Sequence, residues 1–384
     1  MPEILTDVTR LLIRSLEGRL PTGVDRVCQA YIRHFRSSAR AVLHRGAWGG
    51  ILSRAASQDL FDLLLEPVPQ QTRKLITCIA ASPLMPLSSR RHGGSLLFNI
   101  GHSGLERPAY TAWIAQKQLR PLYMVHDLIP LTHPEYCRPG ELDRHTARMN
   151  TVVRTAAGIV TNSQATLDEL TAFADSSRCS LPPSVAALLA PPPLDPAAAS
   201  PLDAPYFVIL GTIEPRKNHW MLLQVWRRLV ERHGADAAPR LVVIGQRGWE
   251  CENVVDLLER GKELQGVVLE RPSCSDAELA TWLKHARALL FPSFSEGYGL
   301  PLVEALALGT PVIASNLPVF REIAGDIPEY LDPLDGMGWL DSIEAYAGGA
   351  SPLRAAQLDR LRGYCPPSWD THFKAVETLL EKIR

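Results

Sequence analysis

The chain has little that would staple it, anchor it or draw it to a polyelectrolyte. Seven cysteines, at positions 28, 78, 137, 179, 251, 274 and 365, never fall at a Cys-x-x-Cys spacing. An odd number at irregular spacing reads as reduced, structural thiols of a cytosolic protein, not a disulfide or zinc framework. Residues Met1 to Asp7 lack a basic stretch followed by an apolar run, which argues against a secretory leader. No run of about eighteen apolar residues occurs, so no membrane span is predicted. Neither sign of charge is in excess: 40 Lys and Arg stand against 41 Asp and Glu. That balance argues against nucleic acid as partner.

What is present suits a two-domain globular protein. A chain of 384 residues exceeds what one hydrophobic core usually fills, and 46% hydrophobic with 21% charged residues is ordinary composition. Prolines crowd between Leu181 and Pro205, with Pro182-Pro183, Pro191-Pro192-Pro193, Pro196 and Pro201. Proline at that density breaks helices and ladders, so residues 181–204 are predicted to be an extended linker. The expected domains are then 1–180 and 205–365, with 366–384 a C-terminal helix.

Both halves alternate short apolar runs with helix-like stretches. The first half offers Leu96 to Asn99, Leu122 to Val125 and Gly158 to Thr161 as strands. The second offers Tyr206 to Leu210, Leu241 to Ile244, Val267 to Leu269, Ala288 to Phe291 and Pro311 to Ala314. Helices are expected at Trp220 to His233, Val254 to Leu264, Asp276 to Ala286 and Leu302 to Leu308. Runs apolar on both faces suit buried parallel strands. The fold class is therefore α/β, two Rossmann-like doubly wound domains, with ligands at the carboxyl ends of strands.

Two strand ends in the second half carry charged residues in unusual company. After Leu210 comes Gly211-Thr212-Ile213-Glu214-Pro215-Arg216-Lys217-Asn218. A glycine there admits a close ligand, and two adjacent cations before a helix suit a diphosphate. A solvated pair in a turn is the plain alternative. After Phe291 comes Pro292-Ser293-Phe294-Ser295-Glu296-Gly297-Tyr298-Gly299-Leu300-Pro301-Leu302-Val303-Glu304. Pro301 is expected at the first helical position. Glu296 on the loop can hold sugar hydroxyls, and Glu304 can accept hydrogen bonds from a ribose diol. Dipole compensation explains one such glutamate but not the string.

That string resembles the E-x7-E signature of retaining GT-B glycosyltransferases, in the large group called family 4. Gly-Thr-Ile-Glu-Pro-Arg-Lys-Asn at 211–218, Val-Ile-Gly at 243–245 and Gly-Thr-Pro-Val-Ile-Ala-Ser at 309–315 agree with it, so the resemblance covers most of 205–326. It implies two domains about a cleft, with the helix at 366–384 crossing back to the first. It also implies that Glu304 holds the ribose and that Glu296 lies against the donor sugar. Arg216 and Lys217 would neutralise the diphosphate, and Gly211 would let backbone approach it. Ser293, Gly297, Tyr298, Gly299 and Leu300 complete the expected donor site. In the first half, Pro21-Thr22-Gly23-Val24-Asp25-Arg26-Val27 resembles the family's glycine loop, a plain turn before a helix being the alternative. Val125-His126-Asp127-Leu128-Ile129-Pro130 resembles its histidine loop, which implies that His126 contacts the transferred sugar. Asn162-Ser163 is expected to cap the helix from Gln164.

No Asp-x-Asp occurs in the chain. Arg216 and Lys217 are therefore expected to replace a metal at the leaving diphosphate, with no cofactor required. The resemblance implies transfer with retention from a nucleoside-diphosphate sugar, GDP-linked mannose or a rhamnose-like sugar favoured. The acceptor would be a glycan or lipid-linked glycan of bacterial surface polysaccharide. A nucleotide-sugar hydrolase or epimerase is a second reading, and a catalytically silent scaffold subunit a third. The loop Glu270 to Asp276, expected near the base, encodes no preference for one base. The segment Arg26 to Arg40 reads either as a surface helix packed on its own sheet or as a basic amphipathic helix at an anionic membrane. A cytoplasmic protein is expected, with peripheral contact at the inner face of the membrane as the alternative.

Overall fold

The structure is a computed structural model that describes residues 3–19, 21–45, 48–66, 71–81, 85–86 and 93–383. The chain divides into two compact units. Unit 1 holds residues 1–132, 139–189 and 369–384, and unit 2 holds 133–138 and 190–368. The C-terminal helix Trp369–Lys382 is thus part of unit 1. The proline-rich stretch is not one free linker. Its first part, Ser184–Ala186, pairs in parallel with the strand Gly158–Thr161, and the chain passes to unit 2 only after Leu189. Prolines at 182 and 183 precede that edge strand and so leave its ladder intact.

Unit 1 is built on an eight-stranded sheet. Its strands are β1 (Ile4–Asp7), β2 (Ala39–Arg45), β3 (Trp48–Ile51), β4 (Met85–Pro86), β5 (Leu96–Asn99), β6 (Arg120–Val125), β7 (Gly158–Thr161) and β8 (Ser184–Ala186). The order is β4-β3-β2-β1-β5-β6-β7-β8, with only β3 antiparallel to its neighbours. Unit 2 holds β9 (Tyr206–Leu210), β10 (Arg240–Ile244), β11 (Val268–Arg271), β12 (Leu289–Phe291), β13 (Val312–Ser315) and β14 (Glu329–Leu331). These run parallel in the order β11-β10-β9-β12-β13-β14. This is the doubly wound dinucleotide-fold order, whose direction of winding reverses between β9 and β12. In unit 1 the reversal falls between β1 and β5. A crevice opens at each reversal because the helices leaving the two strands go to opposite faces.

The expected strands of both halves are present, most shifted by a residue or two at their ends. β1 to β4, β8 and β14 lie outside the expected strands. Ile4, Leu5, Thr6 and Asp7 are all buried, so the strand is short and shows no alternation to read. The expected helix Val254 to Leu264 is broken into Glu252–Arg260 and a single 3-10 turn, Lys262–Leu264, at Gly261. Leu300 rather than Pro301 opens the next helix.

The basic amphipathic segment is also corrected. The helix Gly23–Phe35 ends before Arg40, which is a buried residue of β2 donating to the Leu52 carbonyl oxygen. Its apolar face (Val27, Tyr31, Ile32, Phe35) is buried within unit 1, so that face is not available to a bilayer. Among the described residues no helix is long and apolar enough to cross a membrane.

A buried polar contact of the C-terminal helix centres on His372. His372 Nδ1 lies 3.1 Å from the carbonyl oxygens of Ala187 and Leu188, and Nε2 lies 3.0 Å from the Tyr31 hydroxyl. Carbonyls only accept, so Nδ1 carries the proton and Nε2 accepts from Tyr31. Gly158 leaves room for this helix: a Cβ there would sit 3.0 Å from Ile383 Cδ1. Burial pushes the imidazole down to about 4, against hydrogen bonds to Leu188 and Ala187 that favour the cation. Unfolded, the ring titrates near 6.5. The neutral ring's contribution to stability is therefore complete above that pH and is lost as pH falls toward 4. His372→Phe should destabilise unit 1 by ~2–3 kcal/mol at pH 7.5, because the Tyr31 hydroxyl and two carbonyls lose their partner. Urea unfolding at pH 7.5 and pH 5 should show that gap narrowing at the lower pH. An unchanged gap would remove the histidine from this role.

Candidate active site

The sheet of unit 2 brings two distant segments together at its reversal point. β9 runs into Gly211 and β12 runs into Pro292, and the two strands are neighbours. After β9 the chain makes a single 3-10 turn, Pro215–Lys217, and Asn218 then takes a left-handed conformation (φ 57°). Asparagine tolerates that conformation at low cost. It opens the helix His219–His233 and is held by its amide on the Pro333 carbonyl oxygen, 2.8 Å away. The turn faces Arg216 and Lys217 toward the loop that follows β12. There the Phe294 N–H donates to the Arg216 carbonyl oxygen at 2.8 Å.

The side chains at that point form one buried ion cluster. Lys217 Nζ lies 2.5 Å from Glu296 Oε1, and Arg216 reaches Glu296 Oε2 at 2.8 Å. Arg216 Nε also pairs with Glu214 at 2.7 Å and donates from its terminal nitrogen to the Ser295 carbonyl oxygen. The Ser293 hydroxyl donates to Glu296 Oε1 at 2.7 Å. Lys217 Nζ further stands 4.8 Å from the centre of the Phe291 ring, a cation–π contact. Two cations and two carboxylates thus hold one another within a wall of backbone and aromatic surface.

The electrostatics follow from burial set against pairing. Burial alone would push the Glu296 carboxyl up. The Arg216 and Lys217 charges and the hydrogen bonds from Lys217 and Ser293 outweigh it and hold the group at about 2. Burial dominates at Glu214 instead, and its carboxyl is raised despite Arg216. Lys217 is lowered, because burial outweighs its attraction to Glu296. His219 next door is pushed down to about 3 by burial and by the Lys217 charge.

Two glycines are required by space as well as by φ. Gly211 (φ 137°) lies under Lys217, and a Cβ there would stand 3.2 Å from Lys217 Cε. Gly299 (φ 117°) precedes the helix Leu300–Ala307, and a Cβ there would stand 2.7 Å from the Phe320 ring. Both conformations disfavour any other residue. Glu304 is buried in that helix, with Gly297 and buried Tyr298 in the loop before it. A groove of about 540 Å³ lies beside the cluster, walled by Glu214, Asn218, Phe294, Pro333 and Tyr136. Tyr136 comes from the short 133–138 excursion and stacks on Phe294 with ring centres 5.3 Å apart.

The expected residues thus fall into two groups. Arg216, Lys217, Ser293 and Glu296 meet in the cluster, with Gly211 against Lys217. Gly23 and His126 belong to unit 1. Gly23 opens a helix behind a capping box in which the Thr22 N–H and hydroxyl both donate to the Asp25 carboxylate. His126 is buried, with Nε2 2.7 Å from the Ile100 carbonyl oxygen, so Nδ1 is the unprotonated nitrogen. Burial lowers its pKa, and its neighbour His102 is lowered further by burial and by His126. Asn162 donates to the His126 carbonyl oxygen, while Ser163 alone caps the following helix. Sequence reasoning passed over Glu214, Phe291 and Tyr136. Glu214 stood in the quoted string without a signal to set it apart, and Tyr136 has no local one. Among the described residues no group of three or more His, Cys, Asp and Glu side chains is placed to hold a metal ion.

The cluster yields a test of its own. Glu296→Gln leaves two buried cations short of one charge and should cost ~3–5 kcal/mol at pH 7. Adding Lys217→Met should recover part of that loss, a coupling of ~1 kcal/mol or more in a double-mutant cycle read by urea unfolding. The folded-state pKa of Glu296 lies below its ordinary 4.5. Its stabilisation is therefore present above pH 4.5 and lost as pH falls toward 2, so wild type and variant should converge over that window. Additive losses would show that the ion cluster does not act as a unit.

Residues 194–327 match the family model described as "Glycosyl transferases group 1". The chain is 37% identical over 141 residues to O-antigen chain mannosyltransferase B of Escherichia coli, covering 37% of this chain and 35% of that protein. It is 29% identical over 219 residues to the Escherichia coli serotype-specific mannosyltransferase WbdA, covering 53% of this chain and 26% of that one. The chain therefore spans only a quarter to about a third of these curated relatives. Among solved structures, Anabaena HepE in complex with UDP aligns over 100% of both chains at 14% identity, with a TM-score of 0.64. Sucrose-phosphate synthase from Thermosynechococcus elongatus aligns over 99% of this chain and 98% of its own, at 15% identity and a TM-score of 0.65. With its two α/β sheets this chain has the GT-B fold, and its residues 194–327 are similar to the glycosyl transferases group 1 family.

Proposed function

We propose that the protein is a retaining, metal-independent glycosyltransferase. It would move mannose or a rhamnose-like sugar from a GDP-sugar to a glycan or lipid-linked glycan acceptor of bacterial surface polysaccharide. The observation that carries this reading is the Arg216–Lys217–Glu296 cluster at the reversal point of the unit 2 sheet. The O-antigen mannosyltransferase relatives support the substrate class. Solved neighbours in complex with UDP and with UDP-glucose support a nucleoside-diphosphate sugar as donor.

In this reading the bond from the anomeric carbon to the leaving phosphate oxygen breaks as the acceptor hydroxyl oxygen bonds to the same face of that carbon. The acceptor's proton passes to the leaving phosphate. Negative charge grows on the diphosphate, and Arg216 and Lys217 are the donors fixed to meet it without reorganisation. Glu296, kept ionised by those cations, orients both of them and accepts from sugar hydroxyls. His126 supplies a neutral ring for the transferred sugar. Glu304 would accept from the ribose diol, and Ser293, Gly297, Tyr298, Gly299 and Leu300 would shape the loop against the donor. A buried cation pair does the electrostatic task that a metal performs elsewhere.

Calorimetric titration of GDP, UDP, dTDP, ADP and CMP, with and without magnesium, tests the donor site. One diphosphate should bind at micromolar affinity without metal, and Glu304→Ala should lose it. Transfer from the matching sugar nucleotide should persist in EDTA and fall ~10²–10³-fold in Lys217→Ala. Failure of every nucleotide to bind would leave the scaffold reading in its place. A rate abolished by EDTA would end the metal-independent mechanism.

A further inference from the structure

Large apolar side chains of unit 2 gather on one outward surface. Leu334 is 78% exposed, Met337 56% and Trp220 46%. Trp220 lies in the first turn of the helix His219–His233, and Met337 in the first turn of Gly336–Ala347. The inner faces of those helices, with Trp226, Leu229, Trp339 and Ile343, are buried in one core. The core therefore does not account for an outward indole at 220, and a contiguous exposed apolar patch marks a binding surface.

Trp220 and Met221 are the shared wall of two grooves. One is the groove of about 540 Å³ beside the ion cluster, which begins at Glu214, Asn218 and Phe294. The other, of about 610 Å³, runs on between the two helices past Gln224, Arg228 and Glu231 to Met337. Every residue of both walls belongs to unit 2. Lys217, Glu296 and Glu304 line neither groove. Glu214, paired with Arg216, is where the ion cluster and the grooves meet.

The walls select among occupants. Trp220, Gln224, Arg228 and Glu231 follow one another at helical spacing, so they stand in a row on one face. That row extends ~16 Å along the helix axis, room for several sugar rings in line. Its charges are exposed and paired with their neighbours. Arg228 meets Glu231 at 3.0 Å, and Arg227 meets Gln224 at 3.3 Å and Glu263 at 3.4 Å. Two arginines against two glutamates leave no excess of either sign, which disfavours an anionic bilayer or a polyphosphate. Both walls of the second groove are helices, so no strand edge is offered to an extended peptide. A pyranose matches what is present. Its apolar C–H face can lie flat on an indole, and its hydroxyls both donate and accept, as a row of Gln, Arg and Glu requires.

We infer that this groove binds an uncharged oligosaccharide, with one ring seated on Trp220 and its neighbours along Gln224, Arg228 and Glu231. Resting on the transferase reading above, the occupant is a stretch of glycan several sugars away from the bond being made. Holding it there keeps the chain on the enzyme between transfers.

The test is calorimetric titration of mannose, α-linked mannotetraose and maltotetraose into the full chain, for wild type, Trp220→Ala, Trp220→Leu and Trp220→Tyr. Trp220 is half exposed, so the fold should survive, and circular dichroism checks it. Wild type should bind one of the tetrasaccharides, and more tightly than mannose. Trp220→Ala and Trp220→Leu should each bind it about tenfold more weakly or worse, while Trp220→Tyr keeps most of the affinity. No tetrasaccharide binding by wild type, or undiminished binding by Trp220→Ala or Trp220→Leu, would overturn the assignment. A wild type that sediments as a dimer while Trp220→Ala sediments as a monomer would overturn it in favour of a second copy of this chain. Titration of GDP and UDP separates the failures. Nucleotide binding that persists when no tetrasaccharide binds confines the failure to the groove. A tetrasaccharide bound by a chain that binds no nucleotide ends the transferase reading and leaves the groove assigned.

Discussion

The geometry of unit 2 turns on one buried carboxylate shared by two cations. Glu296 cannot be enclosed as an ion unless Arg216 and Lys217 meet it, and they cannot be enclosed without it. Lys217 and Glu296 are 79 positions apart in the chain. They meet because β9 and β12 are neighbours, which places their C-terminal loops side by side. The local oddities follow from the same demand. Asn218 turns left-handed so that Lys217 can face inward before the helix starts. Gly211 gives up its side chain so that the Lys217 stem can lie across it. Gly299 does the same for the packing of Phe320 under the next helix.

The two units solve the same topological problem with opposite charge arithmetic. Each opens a crevice where its sheet reverses direction. In unit 2 the crevice is lined by a self-neutralised cluster, whose cations are held rigid by their own carboxylates. An anion arriving there competes with Glu296 and Glu214 for donors already in position, which favours stabilising a charge that grows during reaction over gripping one permanently. In unit 1 the arginines lining the crevice outnumber the acids that hold them, with Arg107, Arg144 and Arg148 gathered on Glu106.

The unit 1 histidines show how far a residue type underdetermines a role. His102, His126 and His145 each place Nε2 on a backbone carbonyl oxygen and are kept neutral chiefly by burial. Read along the chain, only His126 stood in a recognisable setting. In space the three rings adjoin, with His102 between His126 and His145. Their common tautomer comes from carbonyls that the local sequence does not mark.

The sequence by itself determined the parallel strands of unit 2 and the strand-end strings that hold its charged residues. Buried strands are written as continuous apolar runs, and a glycine, proline and charge string at a strand end is rare enough to be read directly. It also determined which segment begins each helix near the site, to within two residues, because Ser, Asn and Pro act locally. Only the tertiary structure decided which charges pair. Glu296 is held at about 2 and Glu214 is raised, because two cations grip the first while burial dominates at the second. It also decided that proline-rich residues near 184 belong to a sheet, that Arg40 is a strand residue, and that Tyr136 stacks in unit 2. Those outcomes depend on neighbours brought from far along the chain, and a local pattern carries no record of the solvent such neighbours exclude.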